Sequence, residues 1–196
     1  MRSIAIFAED FGHEAFLSAL LHRLASEHGE QIGLMPRSVR GGCGPVLTQL
    51  KQALHDIERG WDPLPDLFVA ATDSNCEGYA QRKAALDNVT KGFKTLVVAA
   101  IPDPHIERWL LLDSHAFKSI LGKGCMAPDL KCDKDRYKLL LRQACMDAGV
   151  RPAFGGIEFA EDIVKVMDLR KMETADASLG KLITKLRGWF EKWRMA

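Results

Sequence analysis

The stretch DLFVAATDSN, residues 66–75, decides the fold. Its first seven residues form an almost continuous apolar run of strand length, and polar residues follow at once. Such a run predicts a strand that is buried on both faces, as in a parallel sheet. The runs SIAIFA at 3–8 and KTLVVAAI at 94–101 have the same character. The sequence therefore predicts three buried parallel strands.

Helical segments separate these runs. Apolar residues recur at helical spacing from 12 to 28, where Gly29 predicts a stop, and again over 46–59 and 79–91. A weaker strand is predicted over 31–36, and Gly41, Gly42 and Gly44 mark the loop that follows it. The alternation of strands and helices predicts an α/β fold with a mostly parallel four-stranded sheet flanked by helices.

The pattern changes after residue 105, and no further strong strand is predicted. We expect a helix over 106–117, a basic loop over 122–135, a helix over 136–148, and a helical stretch from 153 onward with a break near 174–178. We therefore expect an α/β core at 1–115. Residues 116–196 would form a helical C-terminal extension packed on the same domain.

Composition excludes several function classes. The 27 Lys and Arg residues against 26 Asp and Glu residues give a net charge of +1, without the global positive field typical of nucleic-acid-binding proteins. No apolar run approaches the ~20 residues that span a bilayer, so we expect a cytoplasmic protein with no membrane association. The sequence has neither an H-E-x-x-H motif nor a phosphate-binding P-loop, which excludes zincins and P-loop NTPases.

The five cysteines show no pairing pattern. Their number is odd and no C-x-x-C motif occurs, so we expect reduced thiols instead of a disulfide framework or a zinc knuckle. This expectation covers Cys43, Cys76, Cys125, Cys132 and Cys145.

Acidic residues follow the predicted strands, at the edge where open α/β sheets carry their functional crevice. Glu9 and Glu14 follow the first strand, Asp73 and Asn75 the third, and Glu107 the fourth. Converging carboxylates repel one another unless a cation neutralises them, and oxygen ligands favour Mg²⁺ or Mn²⁺. We predict a metal site from these five residues, although the same residue types also cap helices and form turns.

Three other side chains near this edge of the sheet each have two possible roles. His13 and His105 are close in sequence to the carboxylates, where they would assist proton transfer or orient other groups. Lys134 follows a loop with two further lysines; it would stabilise charge on a phosphate or be a solvated loop residue.

Five motifs occur along the chain: IAIFAEDFGHEAFLSALLHRL at 4–24, Arg40-Gly41-Gly42, VAATDSN at 69–75, IPDPHIERWLLLD at 101–113, and Asp133-Lys134. The first strand, which ends in Glu9, and the later strand that ends in Asp73-Ser74-Asn75 resemble the TOPRIM domain of topoisomerases, primases and OLD-family nucleases. More closely, the five motifs together resemble a bacterial TOPRIM-like family of unknown function, and this resemblance covers most of the chain.

This resemblance implies a divalent-metal-dependent nuclease that hydrolyses DNA phosphodiesters. Glu9 would be the lead ligand and general base, Asp73 would act with it, and Lys134 would stabilise the developing charge. The resemblance also implies a role in bacterial anti-phage defence beside an ABC/SMC-like ATPase. Because the net charge is near zero, such a partner or a homo-oligomer would supply the DNA-binding surface.

Two departures from the family pattern leave alternatives open. Asp10 stands where the family has glycine, and Asn75 stands where it has a second aspartate. Loss of that negative charge would lower metal affinity. The main alternative is therefore a catalytically degenerate TOPRIM-like sensor or scaffold subunit. A third hypothesis is an unrelated phosphoryl-transfer domain with Asp73 as nucleophile.

Overall fold

Four parallel strands form one sheet in a computed structural model that describes residues 1–39, 41–93, 96–126, 129–133 and 135–195. They are β1 (Arg2–Ala8), β2 (Ile32–Ser38), β3 (Leu67–Ala71) and β4 (Val97–Ala100). The strand order is β2-β1-β3-β4, and every neighbouring pair is parallel. The predicted α/β fold with a parallel four-stranded sheet is confirmed.

The helices that join the strands begin and end close to the predicted positions. They are α1 (Phe11–His28), α2 (Cys43–Glu58) and α3 (Tyr79–Val89). Asp10 caps the start of α1 by accepting a hydrogen bond from the backbone N–H of His13, and Gly29 ends it in the left-handed conformation.

The C-terminal part is helical, as predicted. It contains α4 (Ile106–Leu111), α5 (Ser114–Leu121), α6 (Arg136–Asp147), a 3₁₀ turn at Ile157–Phe159, α7 (Ala160–Val166), α8 (Leu169–Ala175) and α9 (Ala177–Met195). The single helix expected over 106–117 was wrong. Asp113 divides it, since its carboxylate accepts hydrogen bonds from the N–H groups of His115 and Ala116 and so starts a new helix.

Alternate side chains of β1 pack on opposite faces of the sheet. Ile4 and Ile6 belong to a large apolar cluster with α1, α4, α7 and α9, whereas Phe7 packs in a smaller cluster with Val46 of α2 and Leu86 of α3. The large cluster contains side chains from both sides of residue 115. The division into a core and an extension stays a prediction.

Within the described ranges, no helix is both long and apolar enough to cross a membrane.

A disulfide bond joins Cys76 to Cys132, so the expectation of reduced thiols was wrong for these two residues. Their Cα atoms are 5.4 Å apart, within the usual range for a disulfide. The bond ties the turn after β3 to the segment before α6. Pairing across 56 positions depends on the tertiary fold, which a search for local spacing does not capture.

Gly180 of α9 is required for the contact between α8 and α9. A Cβ atom at this position would lie 2.3 Å from the carbonyl oxygen of Glu173, which is backbone and cannot rotate away. We expect Gly180→Ala to lower the free energy of unfolding by about 1–3 kcal/mol in urea denaturation.

Gly188, on the same helix, is the matched control. A Cβ atom there meets nothing within 4 Å, so Gly188→Ala should stabilise the protein by up to about 1 kcal/mol through helix propensity. Equal effects of the two substitutions would contradict the close approach at Gly180.

Candidate active site

Glu9 and Asp73 meet at the topological switch point of the sheet. The chain leaves β1 toward β2 on one side and leaves β3 toward β4 on the other, which opens a crevice beyond the ends of β1 and β3. The Asp73 N–H donates to Glu9 Oε2 at 3.1 Å, and Thr72 Oγ1 donates to the same oxygen at 2.9 Å. The structure thus brings together the two residues that lead the predicted site.

His13 bridges two carboxylates. Its ring is 1% exposed; Nε2 lies 3.0 Å from Asp73 Oδ1, and Nδ1 lies 2.8 Å from Asp10 Oδ1. Burial disfavours the charged ring, but the charges and hydrogen bonds of Asp73 and Asp10 prevail and raise the pKa of His13 to about 10. At neutral pH His13 is therefore an imidazolium that donates from both nitrogens.

Asp73 accepts three hydrogen bonds. Besides His13, His105 Nδ1 lies 3.1 Å from Asp73 Oδ2, and the Ile106 N–H donates to Oδ1 at 2.9 Å. Burial opposes ionisation of Asp73, yet the two histidines outweigh it and lower its pKa to about 2. The hydrogen bond to Asp73 in turn raises the pKa of His105. A carboxylate has about four lone-pair sites, so one remains on Asp73 for a further partner.

Glu107 lies in the first turn of α4 and is 6% exposed. Its Oε2 atom is buried and has no hydrogen-bond partner in the described part of the chain. Burial, and then the negative charge of Asp73, raise the pKa of Glu107. An orphaned buried carboxylate oxygen is costly in a folded protein and is therefore a candidate ligand-binding group.

A cavity of about 600 Å³ is lined by two of the acidic residues, Asp10 and Glu107. It is open to solvent and combines acidic, basic and aromatic side chains. It is lined by Asp10, Phe11, Gly12, Glu107, Lys138, Phe154, Gly155 and Ile157.

The other predicted site residues have different positions. Asn75 is in the left-handed conformation, at φ 49°, and its N–H donates to the Pro104 carbonyl oxygen at 3.1 Å. Asparagine adopts this conformation more readily than most residues, which gives Asn75 a role in the turn. Glu14 is half-buried in the first turn of α1. Lys134 and Arg40 lie outside the described residues.

The predicted ligands do not form one metal-binding group. Within the described ranges, no three His, Cys, Asp or Glu side chains are arranged to hold a metal ion. The imidazolium of His13 faces Asp73 and supplies positive charge at this edge of the sheet. Mg²⁺, however, often binds through only one or two carboxylates together with water and substrate phosphate. The Glu9 carboxylate accepts from the backbone N–H of Asp73, whereas the Asp73 carboxylate faces His13 and His105.

Sequence reasoning placed His13 and His105 near the carboxylates but missed the bridge that His13 makes. One signal was available: Asp10 is the cap residue of α1 and His13 lies three positions later, a spacing that places two side chains close together at a helix start. Lys138 and Phe154 gave no such signal, since both reach the cavity from distant parts of the chain.

Comparisons with models of protein families, with curated proteins and with solved structures found no match. The TOPRIM resemblance therefore depends on the quoted motifs alone and stays a prediction.

Proposed function

We propose that this protein is a divalent-metal-dependent, TOPRIM-like nuclease that hydrolyses DNA phosphodiesters. The observation that carries the proposal is the hydrogen bond from the Asp73 backbone to the Glu9 carboxylate at the switch point of a parallel sheet. Ligand sites of open α/β sheets lie at this point. Glu9 and Asp73 follow two adjacent strands, and Asp10, the neighbour of Glu9 in the chain, lines a solvent-open cavity.

Glu9 and Asp73 would hold Mg²⁺ or Mn²⁺. Such an ion, when bound, polarises a phosphate and orients the attacking water. His13 and His105 keep Asp73 ionised and fix its orientation, so that its free acceptor site has one defined direction. A site with two carboxylates requires neither Glu14 nor Glu107 in the metal shell.

The described residues around the cavity include one cation, Lys138. Lys138 is exposed, and its positive charge acts on Glu107 and His105. Its ammonium group would contact a phosphate in the cavity. A single lysine gives weak affinity for DNA. We propose, in line with the sequence resemblance, that an ABC/SMC-like ATPase or a second copy of the chain supplies further DNA contacts in a cytoplasmic defence system.

Cleavage assays test this function. Wild-type protein should nick plasmid and single-stranded DNA with Mg²⁺ or Mn²⁺ but not with EDTA. Glu9→Gln removes a ligand charge and should lower the rate at least about 100-fold. Glu191→Gln, at an exposed position on α9, is the matched control and should retain the wild-type rate. Metal-dependent cleavage that survives Glu9→Gln would contradict the proposed site.

A specific observation supports the degenerate binding module as the second candidate. Asp73 already accepts three hydrogen bonds, and the imidazolium of His13 offsets its charge without a metal. This candidate predicts no DNA cleavage with any divalent metal and no rise in melting temperature when metal is added.

The three hydrogen bonds to the Asp73 carboxylate disfavour Asp73 as the nucleophile of a phosphoryl-transfer enzyme, because they reduce the nucleophilicity of its oxygens.

A further inference from the structure

Two aromatic rings line the cavity beside Asp10 and Glu107. Phe11 is 59% exposed and Phe154 is 73% exposed, and both face the same solvent-open space. They come from distant parts of the chain, the first turn of α1 and the segment before the 3₁₀ turn. Aromatic rings gain free energy when a flat ring system stacks on them. Nucleobases are flat ring systems of this kind, and protein rings bind them with little preference for sequence.

Polar groups in the cavity complement the rest of a nucleotide. Glu107 lines the cavity, and its carboxylate would accept a bond from an N–H group on a base edge. The Lys138 ammonium would meet a phosphate. The volume of about 600 Å³ lies within the range of ~300–1,000 Å³ that is typical of sites for small ligands.

We propose that this cavity binds an unpaired nucleobase of single-stranded DNA, stacked on Phe11 and Phe154. The proposal rests on the proposed nuclease function and names its preferred substrate. A base in a duplex is already stacked and paired, so it reaches these rings only after unstacking. A base in a single strand pays much less of that cost. The cavity thus selects single-stranded DNA over duplex DNA.

Fluorescence anisotropy with two labelled oligonucleotides tests the proposal. One is a pentamer of thymidylate, and the other is a pentamer of abasic nucleotides with the same number of phosphates. Binding is measured in EDTA, so that no metal-dependent cleavage takes place. The variants are Phe11→Ala, Phe154→Ala and Phe154→Trp. Leu139→Ala is the control, at a 62% exposed residue of α6 that does not line the cavity.

We expect wild-type protein to bind the thymidylate pentamer more tightly than the abasic one. Each alanine variant should weaken binding of the thymidylate pentamer by about 5- to 150-fold, the range for loss of one base–aromatic stack. Phe154→Trp and Leu139→Ala should retain wild-type affinity. Equal affinity for the two pentamers, absence of binding, or unchanged affinity in both alanine variants would overturn the proposal.

The cleavage assay separates this failure from failure of the nuclease function. Cleavage that depends on Glu9, with thymidylate binding unchanged in both alanine variants, overturns the base site alone. Binding that depends on the bases and on both rings, without metal-dependent cleavage, supports the base site and contradicts the nuclease.

Discussion

Asp73→Asn is expected to lower the free energy of unfolding by about 3–5 kcal/mol, the usual cost of removing one partner from a buried ion pair. The substitution leaves the buried His13 ring with Asp10 as its remaining carboxylate partner in the described structure. It also removes the charge that favours protonation of His105. Asp162→Asn is the control, because its ion pair with Lys165 is exposed, 3.7 Å long and worth less than about 1 kcal/mol.

The loss of stability caused by Asp73→Asn should be larger at low pH than at high pH. Folding raises the pKa of His13 from 6.5 to about 10, so its contribution is complete below about pH 6.5 and is lost as the pH rises toward 10. Urea denaturation should therefore show a larger difference between wild type and variant at pH 6 than at pH 9. An equal difference at both pH values, or a loss below about 1 kcal/mol, would contradict an ionised His13–Asp73 pair.

Loss of the Cys76–Cys132 disulfide should also destabilise the protein strongly. A cross-link across 56 positions lowers the entropy of the unfolded chain by an amount equivalent to about 4 kcal/mol. We expect Cys76→Ser, or reductant added to wild type, to lower the free energy of unfolding by about this amount. Reductant should have no further effect on Cys76→Ser, which makes the variant its own control.

Thiol counting under denaturing conditions gives an independent test of this bond. Three free thiols are expected in non-reduced wild type, from Cys43, Cys125 and Cys145. Five free thiols would contradict the disulfide. Stable disulfides are rare in reducing cytosol, so this count also bears on the predicted cytoplasmic location.

Local patterns in the sequence were sufficient to predict the parallel sheet. The apolar runs at 3–8 and 66–72 indicated buried strands because a strand covered on both faces has no polar side chains to alternate. The order of elements then placed Glu9 and Asp73 at one edge, since all carboxyl ends of a parallel sheet lie on the same side. Prediction failed at Asp113, where a side-chain cap interrupts an otherwise continuous apolar pattern.

The detailed site could not be predicted, because its contacts depend on tertiary geometry. Repulsion among the carboxylates predicts a cation at this edge, and that metal ion stays a prediction. The imidazolium of His13 beside Asp73 could not be predicted, because it depends on the packing of α1 against the turn after β3. Asn75 was predicted as a metal ligand, and this stays a prediction; its left-handed backbone conformation shows why asparagine suits that turn. The approach of Lys138 and Phe154 to the cavity required the packing of the C-terminal helices.

The central claim is that Glu9 and Asp73 hold a divalent cation. Electron paramagnetic resonance of Mn²⁺ tests it most directly, because the solution signal counts free ions during a titration. We expect saturable binding of Mn²⁺ to wild type that is lost in Glu9→Gln and kept in Glu191→Gln. Absence of saturable binding, or the same stoichiometry and affinity in Glu9→Gln as in wild type, would contradict it.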